Sequence, residues 1–525
     1  HLAIREPVHW AGLQADMQKR RILVTGATGY VGGRLVPLLL QKGYAVRCMA
    51  RDPRKLAGRW DAAVTTEGQL EIVPGDVLKP ETLAPALQGV EVAYYLMHAM
   101  GDGEKGFVER EKQSAAEFAH IAARQGVRRI IYLGGLGRRD IETSAHLHSR
   151  HQTGDLLRTG SVPVTELRAA VVVGSGSVAF EMLRHLTEKL PLMVCPRWIE
   201  TRTQPIYIND TLAYLIAALE TAETEGRILD IGGPDVLSYR EMMLTYAGIK
   251  SLRRLILTVP VLTPRLSAYW VNLVTPIPAS IAFPLIEGLK TETVCENDEA
   301  RRLMPIPLTS FRDALKRTIR ATDELKVPTR WTGAQQGAVP QVFDPATIPA
   351  HGLLQDQRVV NTAAPTEALH RAISRIGGAV GWYYADWLWV IRGALDRALG
   401  GVGLRRGRRH PEQVAVGDAI DFWRVEEYAP ERMRLHAEMK LPGRAWLEFQ
   451  IRENSDGSRA LIQTAYYAPR SFWGMLYWYL LIPVHFFVFR GMARGLVRWA
   501  EQHQTQTIRG SQSQPSSEIS TILPR

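Results

Sequence analysis

The stretch Gly26-Ala27-Thr28-Gly29-Tyr30-Val31-Gly32 decides the fold of the first part of this chain. It follows a short apolar run, Arg21–Thr25, and it leads into a helical pattern that extends to about Lys42. A glycine motif on its own is weak evidence, but a strand, a G-x-x-G-x-x-G turn and a helix in this order are typical of a nucleotide-binding loop. The sequence therefore predicts a strand–loop–helix unit that binds a nucleotide.

Each glycine of this loop has its own predicted role. Gly26 permits the tight turn after the strand, Gly29 lets the backbone approach a pyrophosphate, and Gly32 lets the helix pack on the sheet. The N-terminus of the helix then directs amide groups and a positive dipole at the phosphates. The residues predicted to bind the cofactor in this loop are Gly26, Thr28, Gly29, Tyr30, Val31 and Gly32.

Apolar runs alternate with helical patterns over the rest of the N-terminal half. The further strands are predicted at Tyr44–Ala50, Leu70–Val73, Val90–Leu96, Arg129–Leu133, Val164–Val173 and Arg227–Ile231. Strands that alternate with helices favour a parallel sheet with right-handed crossovers. The predicted fold class is α/β: a doubly wound, parallel Rossmann sheet, followed by a C-terminal α+β domain with an antiparallel sheet and a long C-terminal helix.

The composition of successive stretches predicts five segments. We expect a disordered or extraneous N-terminus at 1–18, a Rossmann domain with substrate-side insertions at 19–325, and a Pro/Gly/Gln-rich linker at 326–362. The C-terminal domain is predicted at 363–502 and a disordered Ser/Gln-rich tail at 503–525.

The end of the second strand bears on the choice between NADP and NAD. An arginine at this position accommodates a 2′-phosphate, whereas an acidic residue binds the ribose 2′-hydroxyl. Arg51 comes first and Arg47 and Arg54 are close, so NADP(H) is favoured, and Asp52 keeps NAD possible.

Two further positions are predicted to lie near the cofactor. After the third strand, Asp76 and Val77 stand where an adenine amino group would be held, although Asp76 also suits a turn or helix cap. His98, at the end of the fourth strand, would face the nicotinamide region or occupy a chance loop position.

Charge and cysteine content limit the partners. The formal net charge of +11 leaves room for a phosphorylated cofactor, an acidic membrane surface or nucleic acid, or for a solvated basic surface, but no nucleic-acid motif is present. The three cysteines are far apart and form no CxxC pair, which argues against disulfides or a metal site and favours a cytoplasmic location.

The loop at 25–32, Arg51 and Gly75-Asp76-Val77 together resemble the atypical short-chain dehydrogenase/reductase proteins, with the NmrA-like and extended epimerase-like branches closest. The accessory Rossmann subunit of respiratory complex I looks related. In the second half, Gly377-Gly378 and Lys440–Trp446 resemble an uncharacterised domain that is fused to such Rossmann domains in many bacteria. That domain in turn resembles the Bet v 1/START-like helix-grip fold, which often encloses an apolar ligand cavity.

The resemblance also implies where an active site would be. Enzymes of this superfamily use a Tyr-x-x-x-Lys pair on a helix and a Ser or Thr at the end of the fifth strand. Here Gly134 occupies the Ser position, and His146 and Arg150 take the Tyr and Lys positions. His146 is a candidate proton donor, Arg150 a candidate ribose or phosphate ligand, and Ser149 a substitute hydroxyl; alternatively the helix keeps cofactor contacts and has lost the chemistry.

The segment Phe472–Phe489 is apolar and carries no formal charge. It could be a loop followed by a buried helix over about Pro483–Gln502, a membrane-surface contact, or a true span, for which 18 residues is the lower limit. The cationic run 405–410 could bind phosphate or an anionic headgroup, or be a solvated loop. If the domain has the helix-grip fold, Trp423, Trp446, Tyr466 and Trp478 could line an apolar cavity.

Three functions are compatible with these patterns. The first is an NADP-dependent oxidoreductase or isomerase with a non-standard active site, acting on an apolar carbonyl or hydroxyl compound. The second is a non-catalytic NADP(H)-binding sensor or assembly factor. The third is a cytoplasmic protein that binds a lipid or isoprenoid and associates with the membrane surface through residues 472–489.

Overall fold

The computed structural model describes the chain in segments: residues 20–57, 59–60, 68–97, 107–137, 144–259, 271, 275, 277, 279–324, 327–329, 353–404, 408, 410–454 and 457–503. The predicted N-terminal segment, most of the predicted linker and the tail after His503 lie outside these residues, as does His98. The chain divides into two compact units, the first made mainly of the residues up to Ala268 and the second mainly of those from Gln335 onwards.

The first unit contains thirteen strands within the described residues. They are β1 (Arg21–Thr25), β2 (Ala45–Ala50), β3 (Leu70–Pro74), β4 (Val92–Tyr95), β5 (Arg129–Gly135), β6 (Val164–Ala169), β7 (Val172–Val173), β8 (Leu192–Pro196), β9 (Arg202–Thr203), β10 (Ile206–Tyr207), β11 (Ile228–Ile231), β12 (Leu237–Ser238) and β13 (Leu255–Val259). The helices are α1 (Gly32–Gln41), α2 (Leu83–Leu87), α3 (Phe107–Arg124), α4 (Ala145–Leu157), α5 (Val178–Lys189), α6 (Ile208–Glu220), α7 (Tyr239–Ile249), α8 (Ala279–Gly288), α9 (Glu299–Leu303) and α10 (Phe311–Asp323).

Seven of these strands form one sheet in the order β11-β6-β5-β4-β1-β2-β3, and every pair in it is parallel. This is the doubly wound order, in which the direction of winding reverses between β1 and β4. The sequence prediction of the fold class is confirmed. The crevice at the carboxyl ends of β1 and β4 is where such sheets bind ligands.

The first helix contains a proline that the sequence pattern marks as a misfit, because proline has no N–H to donate to the carbonyl four residues earlier. For Pro37 that carbonyl belongs to Gly33. The indole Nε1 of Trp60 donates to the Gly33 oxygen at 3.1 Å and supplies the missing hydrogen bond. Gly43 follows the helix with a φ of +87°, as expected for a glycine that ends a helix.

The second unit is an antiparallel sheet with helices. Its strands are β14 (Leu354–Thr362), β15 (Ala419–Ile420), β16 (Trp423–Ala429), β17 (Arg432–Ala437), β18 (Gly443–Glu453) and β19 (Arg459–Pro469), in the order β14-β19-β18-β17-β16-β15. The helices are α11 (Thr366–Ser374), α12 (Asp386–Ala398) and α13 (Phe472–Gln502). One cluster of buried apolar residues joins the inner face of the sheet to these helices. The predicted antiparallel sheet with a long C-terminal helix is confirmed.

Two predicted boundaries in this half are wrong. Residues 354–362, assigned to the linker, form strand β14 and pair with β19 over nine residues, so the sheet begins before residue 363. The closing helix begins at Phe472 and not near Pro483, because the apolar stretch predicted as a loop is itself helical.

The proposed cavity lining is also corrected by the strand register. Cross-strand partners share a face of a sheet, and Trp446 pairs with Tyr466 while the neighbouring Leu447 pairs with Ala465 in the core. Trp446 and Tyr466 therefore lie on the face opposite to that core. Of the four predicted residues, Trp423 and Trp478 belong to the core.

Candidate cofactor and active site

The glycine loop lies at the crevice between β1 and β4. Gly26 has a φ of +70°, and a Cβ on it would come within 2.6 Å of the Leu96 carbonyl oxygen at the end of β4. The amide of Gly29 donates to the Gly26 oxygen at 2.9 Å, which closes the turn. A Cβ on Gly32 would meet the backbone of Gly26. Only glycine fits at the first and last of these positions. Gly26 closes the turn as predicted, whereas Gly32 lets the start of α1 approach the loop backbone, and its role against the sheet stays a prediction.

Thr25 fixes the relative position of the two strands behind the loop. Its hydroxyl donates to the Tyr94 carbonyl at 3.0 Å and accepts from the Leu96 amide at 3.1 Å. The side chain is fully buried. The crevice on which the loop rests is therefore held by side-chain hydrogen bonds, a role that the sequence analysis did not assign.

Arg34, in the first turn of α1, supports the loop from behind. Its guanidinium is buried and donates to the Thr329 hydroxyl at 2.9 Å and to the Ser175 carbonyl at 2.6 Å. The Thr329 hydroxyl in turn donates to the Tyr30 carbonyl at 2.8 Å. The Tyr30 ring lies under the Arg34 guanidinium, and burial raises the pKa of its phenol to about 12. The side chain of Tyr30 is thus part of this support, which leaves its backbone for the predicted cofactor contact.

Arg51 and Asp52, the two residues after β2 that bear on the choice between NADP and NAD, have different environments. Asp52 is buried and accepts from the Arg54 guanidinium at 2.8 and 2.9 Å, and these hydrogen bonds lower the pKa of its carboxyl. Arg51 is exposed at the end of the strand. Arg47 is turned into the sheet, where it pairs with Glu71 at 2.9 Å, so it is not available to a phosphate.

A second cation near the loop was missed by the sequence analysis. Arg59 donates from Nη1 to the Thr28 carbonyl at 3.2 Å, and its Nη2 lies 3.1 Å from where a Cβ on Gly33 would stand. The dense run of basic residues from Arg51 to Arg59 is the signal that could have indicated it. Arg51, which is exposed after β2, and Arg59, which contacts the loop at Thr28, are candidates to bind a phosphate here.

The two residues predicted after β3 have ordinary structural contacts. The Asp76 carboxylate accepts from the Leu78 amide at 3.1 Å, which is the turn-capping alternative. Val77 is buried in the core between β3 and the neighbouring helices. Neither contact tests the predicted interaction with adenine. Because the side chain of Val77 is buried, only its backbone could contact the base. His98 lies outside the described residues.

The glycine at the usual serine position is explained by a buried carboxylate. A Cβ on Gly134 would come within 2.8 Å of Glu166 Oε1, and one on Gly154 within 2.5 Å of Glu166 Oε2. Glu166 is fully buried and pairs with Arg158 at 2.5 Å and with Arg168 at 2.8 Å. The space that a serine side chain would need is therefore filled by Glu166.

The candidate catalytic helix is fixed to the end of β5. Arg150 donates to the Leu133 carbonyl at 2.5 Å, and the Tyr132 hydroxyl donates to the Arg150 carbonyl at 3.0 Å. His146 lies one turn earlier on α4, and Ser149 lies between them in sequence. Burial, and then the nearby Arg150 charge, lower the pKa of His146 to about 4. The imidazole is therefore neutral at pH 7 in this state and could donate a proton only after an anion raises its pKa.

We expect the His146 ring to titrate near pH 4 in the cofactor-free protein, whereas its unfolded-state pKa is about 6.5. Since the unfolded chain binds the proton more tightly, the stability from this group is complete above about pH 6.5 and is lost as the pH falls towards 4. Histidine NMR over pH 3–8 would measure this. Arg150→Gln should raise the pKa of His146 without restoring it fully, because burial remains. A His146 titration near 6.5 in the unmodified protein would contradict the prediction.

The segment around Gln204, which follows strand β9, has well-defined contacts. Gln204 is buried and bonds the Gly233 carbonyl at 2.8 Å and the Cys295 amide at 3.0 Å. Asp210 lies inside the first turn of helix α6 and accepts from the Thr309 amide and hydroxyl at 2.7 and 3.0 Å. Burial raises the pKa of Asp210.

The comparisons with known proteins agree with this geometry. Residues 26–171 match a family described as NAD(P)H-binding. This region has the Rossmann fold and is similar to the proteins of that NAD(P)H-binding family. Residues 349–492 match a second family, described as a protein of unknown function, DUF2867. The predicted links to the Bet v 1/START-like fold and to the complex I subunit stay predictions.

Relatives match the N-terminal region at low identity. The chain is 25% identical over 217 residues to photosystem II assembly factor Ycf39 of Cyanophora paradoxa, which is 40% of this chain and 63% of that protein. It is 27% identical over 202 residues to ceramide reductase of Caulobacter vibrioides (strain NA1000 / CB15N), covering 38% and 61%. The chain thus spans about three-fifths of the length of these relatives. Citrobacter sp. triphenylmethane reductase complexed with NADP(H) is similar at 21% identity and a TM-score of 0.45, covering 57% of this chain and 99% of that chain.

Proposed function

We propose that this protein is an NADP(H)-dependent oxidoreductase or isomerase of the atypical short-chain dehydrogenase/reductase type, acting on an apolar carbonyl or hydroxyl compound. The observation that carries the cofactor choice is the contrast between Arg51, which is exposed at the end of β2, and Asp52, which Arg54 already binds. An engaged carboxylate is a poor ligand for a ribose 2′-hydroxyl, and a free arginine suits a 2′-phosphate. The ceramide reductase relative supports an apolar substrate.

In this proposal the chain's own residues bind and orient the cofactor, which when bound supplies or accepts the hydride. The Gly26–Gly32 loop holds the pyrophosphate, Arg51 and Arg59 face the 2′-phosphate, and Arg150 approaches the ribose from the end of β5. His146 and Ser149 are the candidates for moving a proton at the substrate oxygen.

The second candidate is a non-catalytic NADP(H)-binding sensor or assembly factor. It is favoured by the space at Gly134, which Glu166 fills, and by the neutral His146. The relationship to an assembly factor supports it as well. Turnover of NADPH with a panel of apolar ketones and aldehydes separates the two candidates: the enzyme loses activity in His146→Phe, whereas the sensor binds cofactor and turns over none of the panel.

The Arg51→Ala variant tests the cofactor choice. We expect its Kd for NADPH to rise about 30-fold, equivalent to about 2 kcal/mol for one charge-assisted contact, while its Kd for NADH changes less than about twofold. Calorimetric titration of both nucleotides with the full chain measures this. Arg128→Ala, at an exposed arginine of the same unit, is the control and should leave both constants unchanged. Equal weakening for NADH and NADPH would argue against a 2′-phosphate contact.

A further inference from the structure

Helix α12 exposes a second apolar side in addition to the one that it buries in the core. Its exposed residues repeat at helical spacing and are large and apolar: Trp387, Val390, Ile391, Leu395 and, directly after the helix, Leu399. Its inward side packs Trp389 in the core and also contains Asp396, which is fully buried and accepts from the Gly403 and Lys440 amides at 2.8 and 2.6 Å. A helix in water buries its apolar side, so this arrangement fits a helix that meets an apolar phase.

Helix α13 carries a similar surface over its first half. One stripe, which includes Gly474, Trp478 and Phe489, packs on the sheet along the whole helix. The other side is apolar up to Phe487, and ten large apolar residues are exposed there: Phe472, Trp473, Met475, Leu476, Tyr479, Leu480, Ile482, Val484, Phe486 and Phe487. From Arg490 onwards the same side carries arginines instead. Within the described residues this is the helix that is long and apolar enough to cross a membrane, and only 22% of its most apolar window is buried.

The two apolar surfaces are neighbours within the second unit. Tyr384, just before α12, packs edge-on against Phe487 of α13 at 5.1 Å. Further along α12, Arg392 donates to the Lys440 carbonyl at 3.2 Å. Pro442, two residues on, accepts from the Arg470 amide at 3.1 Å, directly before α13 begins. The start of α12 therefore lies near Phe487 of α13, and its middle lies near the segment that precedes α13.

The charges along the α13 part of this surface have one sign. From Gly457 to Ala500 the chain contains five arginines and no acidic residue. Arg470 stands before the apolar half of α13, and Arg490, Arg494 and Arg498 follow it one turn apart. Arginines that flank an apolar helix surface are suited to the phosphates of an anionic bilayer.

We propose that the exposed apolar sides of α12 and of α13 up to Phe487 form a docking surface for an anionic lipid bilayer. In this proposal the surface lies in the membrane–water interface, and neither helix spans the bilayer. The reason is that Trp478 stacks on Tyr467 of β19 at 5.4 Å, so α13 keeps one side on its own sheet while the other enters the lipid. This inference is independent of the proposed cofactor chemistry.

Vesicle sedimentation with the full chain tests the docking surface. The vesicles contain equal parts of phosphatidylglycerol and phosphatidylcholine, or phosphatidylcholine alone. We expect the unmodified protein to bind the anionic vesicles more tightly, and Ile391→Asp and Leu480→Asp each to lower the partition coefficient about tenfold or more, because a carboxylate must enter the interface. Val359→Asp is the matched control, since Val359 is also half exposed in the second unit but lies on β14.

Three further measurements distinguish the possible outcomes: NADPH affinity, fluorescence quenching by lipid and the oligomeric state. NADPH affinity, measured for every variant, reports an intact first unit. Lipids brominated along the acyl chain should quench the tryptophan fluorescence of the bound protein. This quenching should be weaker in Trp473→Phe. Absence of binding to anionic vesicles, or equal binding by all variants, overturns the proposal. It is likewise overturned if the Asp variants convert an oligomer to a monomer without changing vesicle binding, because a second copy of the chain then covers this surface.

Discussion

Substituting Gly26 with alanine is expected to raise the Kd for NADPH by about 100-fold or more. It should also lower the free energy of unfolding of the first unit by about 3 kcal/mol. Two penalties add at this position. The backbone has a φ of +70°, which costs an L residue about 1–2 kcal/mol. The new methyl group would also stand 2.6 Å from the Leu96 carbonyl oxygen, so β1 and β4 would have to separate at the crevice to which we assign the pyrophosphate.

Gly43→Ala provides the matched control. Gly43 ends the same helix with a φ of +87°, but a Cβ there meets no atom within 4 Å. We expect it to cost about 1 kcal/mol of stability and to leave the Kd for NADPH unchanged. Urea unfolding and calorimetric titration of both variants give the comparison. If Gly26→Ala binds NADPH as well as Gly43→Ala does, the loop does not hold the cofactor.

Substituting Glu166 with alanine should destabilise the first unit by about 3–5 kcal/mol, because two arginines would lose their buried partner. The carboxylate is fully buried and bonds Arg158 and Arg168, and two glycines leave room for it. The control is Glu220→Ala, which removes an exposed ion pair with Lys42 at 2.8 Å and should cost less than about 1 kcal/mol. Hydrogen exchange of β5 and β6 amides during urea unfolding measures both.

A companion variant addresses the missing serine. Gly134→Ser places a hydroxyl at the family's usual position, yet its Cβ would lie 2.8 Å from the Glu166 carboxylate. We expect loss of stability by about 1–3 kcal/mol and no gain in turnover. A stable variant with raised activity would show that Glu166 can move aside, and that the serine position is still usable.

The N-terminal fold could be predicted because its signals are local. A glycine loop directly after a buried strand determines the strand, the turn and the helix together, and the burial of Leu23 and Val24 agrees with that pattern. The explanation for Gly134 could not be predicted, because Glu166 is 32 positions away and meets it only through the pairing of β5 with β6. The same holds for Trp60, which replaces the hydrogen bond that Pro37 lacks.

The errors in the C-terminal half have two physical causes. Strand β14 alternates in burial, but Asp356 and Arg358 pair with each other on its inner side, so its apolar alternation is hidden in the sequence. The apolar composition of Phe472–Phe489 would suit a helix buried in a protein core as well as a helix that contacts lipid. Composition therefore predicts an apolar environment but does not distinguish a protein interior from a bilayer, and only the exposure of α12 and α13 separates the two.

The contact between Thr329 and the glycine loop has a consequence for biosynthesis. The Thr329 hydroxyl binds the Tyr30 carbonyl and accepts from Arg34, although nearly three hundred residues separate them. On a ribosome, the N-terminal strands can form early, but the loop lacks this brace until residue 329 has emerged. A recombinant fragment that stops at residue 325, the domain end predicted from the sequence, would omit the brace permanently and leave Arg34 one acceptor short. A fragment of the first unit that keeps this brace must therefore include residue 329.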